Sequence, residues 1–194
     1  MVKSMDELHI SKILDLVTKP RRQSQILELL WNPPPHDWCK VNMDGSSFGN
    51  PGEFGVGGVI RSCRGQVICA FVNYLGVGTC YFAEVRSAIR GLVLAKQLGF
   101  RNILLEIDSS AAAMAMTSRD FPWVMLQEWR RVSFDLSDCK IKITHYFLEV
   151  NMVANKFARK VVHDRVSNTW SFCPDFMTSK VVWDTSHSPR YKFL

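Results

Sequence analysis

This sequence predicts an α/β fold: a mixed five-stranded sheet, three antiparallel strands followed by parallel crossovers, flanked by helices. Two observations carry that expectation. From residue 38 apolar residues alternate at period two through three runs joined by short turns, and from residue 82 the period becomes helical, after which strand-like and helix-like stretches take turns. The length of 194 residues suits one well-buried domain with appendages.

The elements follow in order. Leu8, Ile13, Leu14 and Val17 recur at helical spacing, Pro20 interrupts, and Ile26, Leu27, Leu29 and Leu30 precede the stiff Asn-Pro-Pro-Pro of residues 32 to 35. Residues 1–36 are therefore expected to be an N-terminal helical extension and Pro-rich linker, residues 37–165 the domain proper, and residues 166–194 a C-terminal tail. Trp38 to Asp44 puts Val41 and Met43 on one face and Lys40, Asn42 and Asp44 on the other, which reads as a strand. Phe54 to Arg61 and Gln66 to Tyr74 are two more, joined by Ser62-Cys63-Arg64-Gly65. From Phe82 to Leu98, Val85, Ile89, Leu92 and Leu98 form a helical stripe, and Gly99 stands where a helix C-terminus wants glycine. On that helix Glu84 heads a ladder of small residues, Ala88, Gly91 and Ala95, which would let the backbone approach a sheet closely.

Asn102 to Asp108 alternates as a fourth strand, and a strand-helix-strand crossover makes it parallel to a member of the meander. Ser109 is an apt cap for a helix to about Thr117, and Pro122 suits the first turn of another to about Leu136. Lys140 to Tyr146 alternates as the fifth strand. A last helix near Glu149 to His163 groups Val150, Val153, Ala154, Phe157 and Val161 on one face.

Composition narrows the function classes. No run approaches the ~18 uninterrupted apolar residues of a membrane span, and the first residues lack an apolar signal core, so an intracellular protein of nucleus or cytoplasm is expected, without a membrane partner and monomeric. Six cysteines lie scattered with no Cys-x-x-Cys pair, so reduced and mostly buried thiols are expected. A net charge of +6 is compatible with polyanions and does not require them. KPRR at 19 to 22 is too short for a nuclear signal and suits a solvated helix end.

Three acids occupy comparable places: Asp44 closing the first strand, Glu84 opening the first long helix, Asp108 closing the fourth strand. Singly each has an ordinary explanation. Asp44-Gly45 and Gly49-Asn50-Pro51-Gly52 are turn sequences, Glu84 suits a helix dipole, and Asp108 with Ser109 suits a helix start. Jointly they would meet in the crevice at the carboxyl ends of the strands. Three carboxylates brought together repel unless a divalent cation neutralises them, and an all-oxygen donor set favours Mg²⁺ or Mn²⁺ over zinc.

Asp44-Gly45-Ser46, Gly49-Asn50-Pro51-Gly52, Gly55-x-Gly57-Gly58, Ala83-Glu84 and Glu106-x-Asp108-Ser109 together resemble the ribonuclease H family, in the form carried by plant non-LTR retroelements and labelled reverse-transcriptase-like. Trp31-x-Pro-Pro, Trp38-x-Lys40-x-Asn42, Leu98-Gly99, and Trp170 with Pro174-x-Phe176 and Tyr191-Lys192-Phe193 support the likeness, which spans residues 31–194. The resemblance implies a ribonuclease H-like fold and endonucleolytic hydrolysis of the RNA strand of an RNA/DNA hybrid by two Mg²⁺ (or Mn²⁺) ions, set roughly 4 Å apart. It implies that Asp44 bridges both ions, that Glu84 and Asp108 hold one, and that Gly45, Ser46 and Asn50 lie along the nucleic acid, where 2′-hydroxyls mark RNA.

The likeness breaks at two positions of one motif. The family's closing motif places a mobile His, then an Arg, an Asn and a fourth acid; here the frame reads His145, Leu148, Asn151, Ala154, Asn155, so the Arg is lost and the acid is an amide. By resemblance Asn155 sits at the ion that activates water. One unit of negative charge at ~4 Å is worth on the order of 4 kcal/mol at an effective dielectric near 20, so weak activity or a raised metal requirement is expected. His145 reads equally as the family's proton carrier or as a surface strand-end residue. Two other readings stay open: a retroelement-derived domain that binds nucleic acid without cutting it, and a nuclease of the same fold acting on DNA.

Overall fold

The computed structural model describes residues 25–194. The expected helix around Leu8 to Val17 and the 19–22 basic cluster lie outside the described residues. Of the extension, Ile26–Leu29 is a β-strand, β1, rather than a helix. A four-residue apolar run carries no decisive period, and it finds hydrogen bonds in the antiparallel strand β8 (Arg190–Phe193). The Leu194 N–H adds a bond of 2.9 Å to the Gln25 carbonyl.

The central sheet begins with β2 (Cys39–Gly49), β3 (Gly52–Arg61) and β4 (Val67–Gly78), an antiparallel meander. Helix α1 (Cys80–Gln97) crosses over to β5 (Asn102–Ile107), which pairs parallel with β2. Helices α2 (Ser110–Ser118) and α3 (Trp123–Asp135) lead to β6 (Lys140–His145), parallel to β5. A 3-10 turn at Leu148–Val150 precedes α4 (Met152–Asp164). The expected five strands and their pairing are all present, and a sixth, β7 (Asn168–Trp170), extends the sheet on β4 to give the order β6-β5-β2-β3-β4-β7. Residues beyond 165 are thus built into the fold, with α5 (Asp175–Thr185) following β7.

Small residues set the layer spacing. A Cβ on Gly91 would lie 2.6 Å from Met43 Sδ, and one on Gly57 would strike the Phe157 and Ala158 backbone, so α1 and α4 pack directly on opposite faces of β2 and β3. On the α1 side Val41, Met43, Ile103, Leu105 and Ile107 are wholly buried with Val85, Leu92 and Met116; on the α4 side Val59 and Val72 close against Phe157 and Val161. Helix α1 is capped at both ends. Thr79 accepts from the Phe82 N–H, and Gly99, at φ 92°, lets the Phe100 and Gly99 N–H groups return to the Ala95 and Lys96 carbonyls.

A second polar layer lies behind the site-bearing strand ends. Lys40 pairs with Glu106, Asn42 donates to Glu106 at 2.7 Å, and Arg61 donates to Asn42 Oδ1 and Asp184 Oδ2, both at 2.8 Å. Trp31 covers the Arg61 guanidinium 3.7 Å from its ring centroid, and Arg190 reaches the other Asp184 oxygen at 2.7 Å. Arg61 is fully enclosed, and this network fastens both chain ends to the sheet. All six cysteines are free, but only Cys39 and Cys69 are buried and Cys80 is exposed, which corrects the expectation of mostly buried thiols. Among the described residues no helix is long and apolar enough to cross a membrane.

Candidate metal centre

Asp44 was expected at a strand end. Instead β2 continues to Gly49, where the Asn50-Pro51 turn closes the hairpin, so Gly45 lies within the strand and makes no bend. Gly45 serves a different purpose: a Cβ there would collide with the Ala83 and Glu84 backbone, so its absence lets α1 lie directly on the residue after Asp44. Glu84, likewise, is the fifth residue of α1 and not in its first turn. The small-residue face of α1 therefore delivers a second-turn carboxylate to the strand. Asp108 follows the last residue of β5, where the pairing of β2 with β5 stops at Met43 and Ile107.

These three carboxylates meet. One oxygen each from Asp44, Glu84 and Asp108 lies within 4.8 Å of the other two. Asp44 is buried, and Glu84 Oε2 is buried without a hydrogen-bond partner among the described residues. Burial, reinforced by the charge of Asp108, pushes the Asp44 carboxyl up to about 7. Burial and then the charges of Asp44 and Asp108 hold Glu84 far above the ordinary carboxylate range, and burial raises Asp108. A set of hard oxygen donors, partly unpartnered and unable to ionise together on their own, fits a divalent cation.

Helix α4 and its N-cap present amides to this set. Asn155 Nδ2 donates to Asp44 Oδ2 at 2.9 Å, so the amide meets the triad through its nitrogen. Asn151, one turn earlier, is buried and donates to the Met43 carbonyl at 2.7 Å and to Asp108 Oδ2 at 3.3 Å. It spans the gap where the β2 and β5 ladder ends. In the sequence Asn151 stands only as the Asn of the closing motif, with no role attached; its position three residues after Leu148 is the available signal. His145 closes β6 at the surface, its Nε2–H donating to the Asp108 carbonyl at 3.1 Å. Asn50 sits exposed at the hairpin tip, its Oδ1 accepting the Cys80 N–H at 3.2 Å, which docks the tip on the start of α1. Ser46 is half-buried on β2. The structure thus gathers Asp44, Glu84, Asp108, Asn155 and His145, with Gly45 beneath them, and sets Asn50 apart at the hairpin tip.

A family profile described as reverse transcriptase-like matches residues 42–161, which holds every residue of this set. The chain belongs to that family. Among relatives of this reverse transcriptase-like chain, a protein of Arabidopsis thaliana described as a ribonuclease H protein is 30% identical over 186 residues, covering 94% of the chain and 29% of the relative. The chain thus spans less than a third of that relative's length. The crystal structure of RNase H1 from the archaeon Halobacterium salinarum is 28% identical with a TM-score of 0.59, covering 66% of this chain and 98% of that one. An RNase H1 designated LC11, solved in complex with an RNA/DNA hybrid, has a TM-score of 0.60 at 19% identity over 66% of this chain and 98% of that one, a likeness of fold. The fold of this reverse transcriptase-like chain is ribonuclease H-like, and its acidic triad is a set that could bind a divalent metal.

Proposed function

We propose that this chain is a metal-dependent endoribonuclease that hydrolyses the RNA strand of an RNA/DNA hybrid, with weakened metal binding. The observation that supports it is the convergence of Asp44, Glu84 and Asp108 within 4.8 Å on a ribonuclease H-like sheet. Asp44, Glu84 and Asp108 would hold Mg²⁺ or Mn²⁺, with Asp44 shared between two ions. Such ions supply an activated water and charge stabilisation for the leaving oxygen of an in-line displacement.

The chain's own residues would do the rest. Gly45, Ser46 and the hairpin tip at Asn50 would lie along the RNA, where the Asn50 amide nitrogen remains available to 2′-hydroxyls while its oxygen is engaged by α1. His145, on the surface beside Asp108, would carry protons to and from solvent. We place the protein inside the cell, in nucleus or cytoplasm, as a monomer.

The experiment is direct. Purified full chain is incubated with end-labelled hybrid, duplex DNA and duplex RNA in Mg²⁺ or Mn²⁺, beside an Asp44→Asn control. Cleavage confined to the hybrid and lost in the control supports the reading; no cleavage by folded protein in either metal sinks it.

The bond from Asn155 to Asp44 favours a second reading. An amide that donates to the bridging carboxylate already satisfies it, so the same surface would serve as a nucleic-acid-binding domain that does not cut. Salt-dependent hybrid binding that is indifferent to added Mg²⁺ would support that alternative.

A further inference from the structure

Three cavities adjoin along β6, one of the two edge strands of the central sheet. One, of about 440 Å³, opens between α2 and β6, with Met114 and Ile143 in its walls and His145 at its mouth. The next, of about 220 Å³, shares Thr117 and Ile143 with it. The third, of about 670 Å³, shares Arg119, Trp129 and Ile141 with the second and ends between Arg130 and Phe134. Shared walls make them a single trough, running along a six-residue strand that rises roughly 20 Å. It starts at His145, whose ring bonds the Asp108 carbonyl at 3.1 Å, and therefore opens beside the candidate centre.

The chemistry changes along its length. Near His145 the wall is apolar, with Met114 71% exposed. At the far end Arg119 and Arg130 face the same space as Phe134, which is 81% exposed. The neighbouring acids are engaged elsewhere: Glu128 pairs with Arg86, and Asp138 with Lys96 and Arg101. Asp120 and Asp135 lie close in sequence, and neither lines the trough's Arg end. Among the described residues Arg119 and Arg130 make no ion pair, so the trough offers two uncompensated guanidiniums beside an exposed aromatic ring.

We propose that this trough holds a single strand of nucleic acid continuing from the candidate centre, with Arg119 and Arg130 on its phosphates and Phe134 stacked on a base. Unpaired strands present phosphates and flat apolar bases together, the combination that a positive groove with an aromatic platform recognises; a duplex keeps its bases turned inward. The inference rests on the hybrid reading above and deepens it: the preferred substrate is a hybrid with a single-stranded extension.

Fluorescence anisotropy of the full chain without divalent metal tests it, with blunt hybrid, hybrids extended on either end of either strand, and single strands of about twelve nucleotides. At least one extension should tighten binding about five-fold or more over the blunt hybrid. Arg119→Glu/Arg130→Glu should bring that ratio to one and lower the salt slope for single strands by about 1.4, or about 0.7 per phosphate lost. Phe134→Ala, at a solvent-facing position, should reduce single-strand affinity several-fold with Tm unchanged. A ratio near one for every extension in the wild type, or a ratio that survives the double Arg variant, overturns the proposal, as does preferential competition for the trough by an acidic peptide. Failure of blunt-hybrid cleavage with an intact extension preference would sink the nuclease reading and leave the trough standing.

Discussion

Asn155 donates its amide nitrogen to Oδ2 of Asp44 at 2.9 Å, so one oxygen of the most buried acid of the triad is bonded to a neutral group. A cation held through that oxygen must displace or share the bond. Asn155→Asp replaces a donor with a charged acceptor, so the Mg²⁺ concentration for half-maximal hybrid cleavage should fall at least tenfold, and titration calorimetry should show tighter metal binding. An unchanged metal dependence counts against the role given to this position.

The triad makes the metal-free protein sensitive to pH. In the unfolded chain these acids titrate near pH 4, whereas in the fold they hold protons to higher pH, Asp44 to about 7. A raised folded-state pKa stabilises fully below the unfolded value, and that contribution is lost as pH rises through the folded value. Asp44→Asn should therefore raise Tm relative to wild type progressively from about pH 4 to pH 7 in a chelator. Excess Mg²⁺ or Mn²⁺ should erase the difference at neutral pH. A pH-independent difference between the two proteins would contradict this account.

Gly45→Ala puts a methyl group into the α1 backbone beside Glu84. Helix and strand must separate, at a cost of about 1–3 kcal/mol by analogy with overpacked cores. Urea denaturation should show that loss, and metal affinity should fall with it. A variant with wild-type stability would mean that α1 is not seated on β2 as described.

Asn151→Ala leaves the Met43 carbonyl buried without its donor and removes a bond from Asp108. The expected loss is about 1–3 kcal/mol of stability. Weaker Mn²⁺ binding should accompany it, because β2 and β5 are no longer tied where their ladder stops, just before Asp44 and Asp108. Equal metal affinity in variant and wild type would reduce Asn151 to a purely structural residue.

Asp184→Ala strips Arg61 and Arg190 of their shared partner, with Arg61 fully enclosed. Removing one member of a buried ion pair costs about 3–5 kcal/mol, and Tm should drop roughly 10 °C. Deleting residues 171–194 should be worse, since Arg61 and β1 both lose their partners. A truncated chain that melts like the wild type would show that residues 1–170 fold without the C-terminal segment.

What could be read from residues alone follows their range of interaction. The meander, the crossover helices and the three acids rest on local periods and caps, such as Val41 and Met43 alternating or Gly99 ending α1, and these were legible. The strand at Ile26–Leu29 was not, because its identity is decided by Arg190–Phe193 more than 160 residues away. The same is true of the Arg61 and Asp184 pair. Within the site, the meeting of Asp44, Glu84 and Asp108 follows their order along the elements, but the place of Asp44 inside β2 and of Glu84 in the second turn of α1 does not, because both depend on how far the hairpin extends and where the helix starts. The direction of the Asn155 amide and the bridging role of Asn151 depend on how α4 settles against two strand ends, which no local pattern records.

The pairing of β1 with β8 brings Gln25 and Leu194 into hydrogen-bond contact, so polypeptide attached before the one and after the other departs from a single spot on the surface. The fold can consequently sit in a longer polypeptide as a cassette whose two leads arrive together. Closing the chain there with a short linker would add little loop entropy, which makes a circular permutant cut in an exposed loop a feasible form of the protein. Tension applied along a host polypeptide would be taken by that small ladder first, leaving the carboxylates outside the line of force.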